Sequence, residues 1–169
     1  MPTPVSLSDQ LADAERNLDR LLEWVSRYDS KSMVLIGVET GMVGVMASFA
    51  RPISAWTCAM IWTVSIALGA LLAGIALLYI GGIPRTRSRN ASLYYFGSIA
   101  AREFRDFERS FVSQSAEERL GDLLSQCHRN SAILNRKFNC LKWSNRLLLA
   151  AAIPWAISVY LFRSAPALP

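Results

Sequence analysis

Residues 57–80 read TCAMIWTVSIALGALLAGIALLYI and lie in a longer stretch, Ile53 to Ile83, that contains no charged side chain. As a helix rising 1.5 Å per residue, this segment would be about 36 Å long, which exceeds the roughly 30 Å hydrocarbon core of a bilayer. Backbone groups in lipid must form hydrogen bonds within their own segment, so we predict a transmembrane helix. A chain of 169 residues is too short to surround so apolar a helix with a soluble core.

Two further apolar segments flank this helix in the sequence. Residues 33–50 contain one acid, Glu39, and residues 144–162 contain Pro154, which membrane helices tolerate. Arg51 and Pro52 leave room only for a tight connection, so the first two spans should form an antiparallel hairpin. We therefore predict three spans, over residues 33–50, 57–80 and 144–162, with an interfacial helix as the alternative for the last.

Amphipathic helices are predicted outside the spans. Apolar residues recur at three- and four-residue spacing from Leu11 to Tyr28, after a capping box at Ser6 to Asp9, and no proline separates this helix from the first span. Residues 93–111 predict another helix, and Ser115-Ala-Glu-Glu118 opens a long one. The predicted fold class is all-α, with three transmembrane helices and a cytoplasmic helical bundle from residues 7–31 and 91–143, in a single domain over residues 1–169.

Positive charge is concentrated on one side of the predicted spans. Residues 1–31 and 84–146 carry 16 of the 18 Lys and Arg residues, including the cluster Arg85 to Arg89 directly after the second span. Because Lys and Arg are enriched in cytoplasmic loops, the amino terminus should be cytoplasmic and the tail Ser164 to Pro169 outside. No cleavable signal peptide is expected, because residues 1–30 are polar and acidic.

Catalytic and metal-binding patterns are missing from the sequence. His128 is the only histidine, the three cysteines form no CxxC pair, and there is no P-loop, GxSxG or HExxH motif. We therefore expect no enzyme activity, no catalytic residues, no metal and no cofactor.

Aromatic and basic side chains share one stripe of the first helix where it reaches the membrane: Trp24, Arg27, Tyr28 and Lys31. Such a stripe can stack a base and pair with a phosphate, and it is equally typical of interfacial anchors. Polar residues share a stripe on the last helix, where a pocket would suit a small anion: Gln126, Asn130 and Lys137.

Small residues line one face of the first span at four-residue spacing: Gly37, Gly41, Gly44 and Ser48. Such faces let helices approach closely in a membrane, either within one subunit or between subunits. Glu39, on the same span, is either interfacial or hydrogen-bonded between helices, or it belongs to a transport path.

Three stretches resemble, in order, the motifs of one protein family. Residues 29–37 (DSKSMVLIG) resemble an "AD-x-KA-x-x-LL-G" motif, residues 93–99 (LYYFGSI) a "YFG-x-I" motif, and residues 126–138 (QCHRNSAILNRKF) a "Q-x-x-x-NS-x-I-x-x-x-K" motif. Over residues 10–163 the chain thus resembles the membrane effectors of Pycsar anti-phage systems. It departs from that pattern at three positions. Alanine-like residues are usual at the positions of Tyr28 and Ser32, and an amide or a small residue is usual at the position of Glu39.

This resemblance implies a function. Members respond to a cyclic pyrimidine mononucleotide, cCMP or cUMP, made by a partner cyclase during infection, and then damage the bacterial inner membrane, so we expect a homo-oligomer in the lipid bilayer and no nucleic-acid partner. Lys31 or Lys137 should lie near the phosphate and Tyr95 or Phe96 near the base. The full set of expected ligand-binding residues is Asp29, Lys31, Tyr95, Phe96, Asn130, Ser131 and Lys137.

Other functions fit the same architecture. The chain could be an effector of a related cyclic-oligonucleotide defence system. It could also be a non-catalytic membrane scaffold whose helical part docks a protein partner, or a small channel or transporter that uses Glu39.

Overall fold

The computed structural model describes residues 6–83 and 92–164. Their elements, in chain order, are α1 (Leu7–Phe49), a short 3₁₀ helix (Ile53–Ala55), α2 (Cys58–Gly82), α3 (Phe96–Ala100), α4 (Phe104–Ser113) and α5 (Ala116–Ser164). Helices hold 89% of the described residues and none of these residues lies in a strand, which confirms the all-α prediction. The basic cluster Arg85 to Arg89 and residues 165–169 lie outside the described residues.

The two long helices begin at the predicted capping residues. At the start of α5 the cap is reciprocal, because the Glu118 amide donates to Ser115 Oγ at 3.2 Å and the Ser115 amide donates to Glu118 Oε2 at 2.8 Å. At the start of α1 the Asp9 amide donates to Ser6 Oγ at 3.2 Å. Both helices then continue without a break, as the absence of an early proline predicted, and α5 passes through Pro154.

The prediction of one helix over residues 93–111 was wrong. The structure has the five-residue α3 and then α4, separated by Ala101 to Glu103, and the residue before α4, Glu103, is extended. The chain also starts α3 later than predicted, because residues 92 and 93 are held by side-chain hydrogen bonds described below. The apolar spacing of Phe104, Phe107 and Phe111 was therefore a signal for α4 alone.

Helices α1, α2 and α5 are each long and apolar enough to cross a membrane, which confirms three candidate spans. Only 17%, 28% and 17% of their most apolar windows are buried within the chain. Large apolar side chains on all three helices are consequently exposed, among them Val34, Trp62, Ile66 and Ile153. Water would make so much exposed apolar surface unfavourable, whereas lipid would not.

The chain divides into two compact units, and the single-domain prediction stays a prediction. The polar unit comprises Met1–Arg27 and Pro84–Asn135, and the membrane unit comprises Tyr28–Ile83 and Arg136–Pro169. Each of the helices α1 and α5 contributes its residues to both units.

The membrane unit has its core at the end where α1 joins α2. Met46, Met60, Val64, Ala67 and Phe162 form a buried cluster there. The connection is held to α5 by Arg51, whose Nε donates to the Phe162 carbonyl at 2.9 Å, and Trp56 Nε1 donates to the Arg51 carbonyl at 2.8 Å. These bonds satisfy backbone carbonyls that would otherwise be open at the helix ends.

Candidate functional site

A polar cavity of about 540 Å³ lies in the polar unit, within the size range of small-molecule sites. It lies among residues 92–93, Arg102, helix α4 and the first turns of α5. Its lining is mostly polar: Ser92, Arg102, Ser110, Ser113, Gln114, Glu118, Asp122 and Ser125. These residues are spread over 34 positions of the sequence, from 92 to 125, and none belongs to the predicted ligand-binding set.

Asp122 organises one wall of this cavity. Its Oδ2 accepts hydrogen bonds from Ser92 Oγ at 2.8 Å and from the Leu93 amide at 2.9 Å, and Ser92 Oγ accepts from the Tyr94 amide at 3.0 Å. These bonds hold residues 92–94 in a turn rather than a helix, which explains the late start of α3. Both bonds to Asp122 use the same oxygen, so the second carboxylate oxygen can face another partner.

Tyr94 orients the opposite wall. Its hydroxyl donates to Gln114 Oε1 at 3.3 Å, so the amide nitrogen of Gln114 remains a donor. The Tyr94 ring lies 6.1 Å from Phe111 and carries the Arg119 guanidinium 5.9 Å from its centroid, and Arg119 forms an ion pair with Glu15. Arg102 provides a guanidinium to the lining. The cavity thus combines one guanidinium, the two carboxylates of Glu118 and Asp122, an amide and several hydroxyls.

Cys127 is a buried cysteine of the polar unit and lies outside the cavity lining. Its Sγ lies 3.6 Å from the Ala14 carbonyl, and the residue is 7% exposed. Burial raises the pKa of this thiol, so it is a packing residue rather than a reactive one.

The predicted residues Tyr95 and Phe96 form an aromatic pair in the polar unit. Their ring centroids are 4.8 Å apart, and Phe96 is 68% exposed. A methyl group on Gly97 would come 2.7 Å from Cε1 of Tyr95, so a glycine at this position leaves the space that the Tyr95 ring occupies. This contact supplies a physical reason for the sequence Tyr-Phe-Gly.

The predicted residues Asp29 and Lys137 meet in the membrane unit. Lys137 Nζ lies 2.9 Å from Asp29 Oδ1 and 4.7 Å from the centroid of the Tyr28 ring. The lysine side chain is only 12% exposed, whereas that of Asp29 is 54% exposed. The first and third sequence motifs are therefore joined by an ion pair, and the lysine charge is already balanced by protein groups.

The ring of Tyr28 lies beside Lys137 of this ion pair and is buried. Tyr28 is fully buried, its ring packs edge-on against Phe138, and its hydroxyl forms no hydrogen bond with the described residues. Burial is the main cause that raises the pKa of Tyr28, and the neighbouring Cys140 and Asp29 raise it further. A methyl group on Gly81 would collide with the Tyr28 hydroxyl, so the end of α2 depends on this glycine.

The remaining predicted residues lie apart from these contacts. Lys31 is exposed on α1 in the membrane unit. Asn130 is half-buried and Ser131 is exposed in the polar unit, where Ser131 Oγ donates to the carbonyl of His128 at 2.8 Å. The structure thus brings together Asp29 with Lys137, and Tyr95 with Phe96, and the ligand-binding role of all seven residues stays a prediction.

One family model matches most of the chain. The model of the Pycsar effector protein domain, PycTM, matches residues 13–163. The chain belongs to the PycTM family. It is also 25% identical to the Pycsar effector protein GmPycTM of Gulbenkiania mobilis, over 90% of this chain and 93% of that protein. No solved structure matches the chain.

PycTM membership confirms the family predicted from the three motifs, and with the three candidate spans it makes this chain a membrane effector of anti-phage defence. All three departures from the motif pattern, Tyr28, Ser32 and Glu39, are buried in the membrane unit, at 0%, 7% and 0% exposure. They are therefore packing differences inside the membrane unit rather than changes on an open surface, and Tyr28 and Ser32 lie just before the first predicted span.

Glu39 is a fully buried acid in the membrane unit of this PycTM chain. Its Oε1 accepts a hydrogen bond from Ser144 Oγ on α5 at 3.0 Å, and its Oε2 has no hydrogen-bond partner among the described residues. A methyl group on Gly74 of α2 would collide with the carboxylate. Three helices therefore meet at Glu39, as the hydrogen-bonded alternative for this residue predicted.

Sequence reasoning missed the polar cavity. No short motif contains the lining residues Ser92, Arg102, Gln114 and Asp122. They converge because the chain turns between α3 and α4 and again between α4 and α5. Among the described residues, no group of three or more His, Cys, Asp or Glu side chains converges on a possible metal position.

Proposed function

We propose that a cyclic pyrimidine mononucleotide, cCMP or cUMP from a partner cyclase, binds this effector and causes it to impair the bacterial inner membrane. The similarity of the chain to a Pycsar effector protein supports this proposal. The observation that carries the ligand site is the polar cavity of about 540 Å³ with Arg102 in its lining. The effector acts without catalysing a reaction of its own.

The lining of the cavity suits such a ligand. A guanidinium forms strong paired hydrogen bonds with a phosphate, which is the role we assign to Arg102. Asp122 accepts hydrogen bonds, and Gln114 donates them through its amide nitrogen, so together they can read the polar edge of a pyrimidine base. The serine hydroxyls of α4 and α5 can contact the ribose.

The ligand-binding residues predicted from the sequence have a secondary role in this proposal. Tyr95 and Phe96 belong to the same unit as the cavity, and the exposed Phe96 ring offers a stacking surface. Lys31 or Lys137, with Asp29, Asn130 and Ser131, remain the alternative phosphate and ligand contacts. The experiment below includes both lysines for that reason.

Homo-oligomers of the spans are supported by the small-residue faces. A Cβ built on Gly37, Gly41, Gly44 or Gly69 would meet nothing within 4 Å in the described chain. These faces are therefore not used by packing within the subunit, and they let a second copy approach closely. The distribution of Lys and Arg supports a cytoplasmic amino terminus, which would expose the cavity to a cytoplasmic nucleotide.

Thermal stability of the detergent-purified full-length protein tests the ligand. A nucleotide that binds the folded state raises the apparent Tm, so we expect a selective rise with cCMP or cUMP in a panel of cyclic mononucleotides and dinucleotides. Dye release from vesicles containing the protein should follow the same nucleotide. No rise with any member of the panel would contradict the proposal, and a rise with a cyclic dinucleotide would assign the effector to another signal.

Arg102→Gln tests the site. Losing a charge-assisted contact to phosphate costs about 1.5–3 kcal/mol, so the nucleotide should bind roughly ten- to hundredfold more weakly. Arg105→Gln is the matched control, because Arg105 is an exposed cation of α4 outside the cavity lining. If Arg102→Gln behaves like this control while Lys31→Ala or Lys137→Ala abolishes the response, the nucleotide binds at the lysines instead.

A further inference from the structure

A groove of about 640 Å³ lies between α1 and α5 in the membrane unit. Helix α1 contributes Ser30, Lys31, Val34 and Leu35, and helix α5 contributes Phe138, Leu141, Lys142 and Asn145. On each helix these residues fall on one face, at spacings of one, three and four. The groove is thus a regular product of two packed helices.

The positive charge of this groove is not balanced by nearby acids. Lys31 and Lys142 are both exposed, and neither forms an ion pair with an acid among the described residues. Lys137 differs, because Asp29 pairs with it at 2.9 Å and the Tyr28 ring covers it. Two cations of the groove can therefore take an anionic partner without breaking a protein contact.

The rest of the lining is apolar and continues into a span. Val34 is 67% exposed, and the preceding Met33, at the start of the first apolar segment, is 70% exposed. Beside Lys142 on α5, the Arg146 guanidinium stacks 4.8 Å above the half-exposed Trp143 ring. Aromatic side chains next to cations mark the headgroup level of a membrane, so the groove lies where a lipid headgroup meets its acyl chains.

We propose that this groove binds one anionic phospholipid. Its phosphate lies between the ammonium groups of Lys31 and Lys142, and Asn145 contacts the polar part of the headgroup. The upper part of an acyl chain lies along Val34, Leu35 and Leu141. A small soluble anion would use the two lysines and leave the apolar walls uncovered, which is why a lipid fits better.

This site is separate from the polar cavity. The two lie in different units, share no lining residue, and take different ligands. The inference therefore stands whether or not a cyclic nucleotide binds at Arg102.

Titration of the detergent-purified full-length protein with a short-chain phosphatidylglycerol tests the groove. We expect this lipid to raise the apparent Tm more than phosphatidylcholine with the same chains, and glycerol 3-phosphate to have no comparable effect. Since a lysine near a lipid phosphate contributes about 1 kcal/mol, Lys31→Gln or Lys142→Gln should each raise the half-saturating lipid concentration about fivefold.

Arg136→Gln is the matched control, because Arg136 is an exposed cation of α5 in the same unit and lies outside the groove. If Lys31→Gln and Lys142→Gln weaken binding no more than this control, the effect is one of overall charge and the site is refuted. Equal effects of glycerol 3-phosphate and phosphatidylglycerol would also refute it. All three residues are exposed, so the variants should keep their Tm without lipid, which the same measurement checks.

Discussion

The polar cavity of the polar unit and the enclosed polar groups of the membrane unit place their side chains in opposite ways. In the polar unit, Asp122, Gln114 and Arg102 line an open cavity, and Asp122 and Gln114 keep atoms that can contact a ligand. In the membrane unit, Glu39 and Tyr28 are fully enclosed by other helices. Helix α5 contributes to both arrangements, through Asp122 in the cavity and Ser144 beside Glu39.

This difference separates recognition from assembly. A polar group on an open cavity can exchange its partner for a ligand at small cost to the fold. An enclosed polar group in a span bundle fixes which helices meet, because separating them exposes it to lipid. We therefore expect substitutions in the polar cavity to change the nucleotide response, and substitutions at the enclosed groups to change stability.

Tyr28→Ala should have the largest effect on stability. Removing a fully buried aromatic ring leaves a cavity and costs about 3–5 kcal/mol, which would lower the apparent Tm by roughly 10 °C in a chain of this size. Thermal unfolding in detergent measures it. Arg102→Gln in the polar unit should change the Tm of the ligand-free protein by far less, since Arg102 lines an open cavity.

Tyr28→Phe is the informative companion to this variant. It keeps the ring against Phe138 and removes a buried hydroxyl that forms no hydrogen bond with the described residues. Such a change should be neutral or stabilising, because no hydrogen bond is lost. A loss as large as that of Tyr28→Ala would mean that the hydroxyl, rather than the ring, stabilises the bundle.

Gly74→Ala should have the next largest effect. The added methyl group would collide with the carboxylate of Glu39, and overpacking of this kind costs about 1–3 kcal/mol. Gly82→Ala on the same helix is the control, because its methyl group would meet nothing within 4 Å. We expect Gly82→Ala to leave the Tm unchanged or raised, and an equal loss in both variants would show that α2 does not pack on Glu39.

The fold was largely predictable because long apolar segments admit few structures. The charge-free stretch before Ile83 could only form a spanning helix, and an uninterrupted sequence from Ser6 to Phe49 could only give one long helix. The late start of α3 could not be predicted, since it depends on Asp122, a residue 29 positions after Leu93, which holds Ser92 and Leu93.

The site was less accessible from the sequence. Motif spacing singled out Asp29 and Lys137, and the structure brings them to 2.9 Å, but as partners of each other rather than around an open pocket. The cavity around Arg102 and Gln114 needs residues from several short elements, and no helical periodicity relates them. Contacts within one helix can be read from spacing, whereas contacts made by turns cannot.

The smallest expected effect on stability comes from ionising the Tyr28 phenol, which requires no large change in the packing around it. The pKa of this phenol is raised above its ordinary value of 10.0, mainly because burial disfavours the phenolate. The folded state therefore holds the proton more tightly than the unfolded state does. The resulting stabilisation is present below pH 10 and is lost as the pH rises from 10.0 through the folded-state pKa.

Spectrophotometric titration of the phenolate measures this step. Subtracting the titration of Tyr28→Phe from that of the natural sequence leaves the signal of one tyrosine among five, and its midpoint should lie above pH 10.0. The apparent Tm of the natural sequence should also fall more steeply above that pH than the Tm of Tyr28→Phe. A midpoint at or below 10.0 would mean that water reaches Tyr28, and the contrast between the open polar cavity and the enclosed groups of the membrane unit would then fail at the residue on which it depends most.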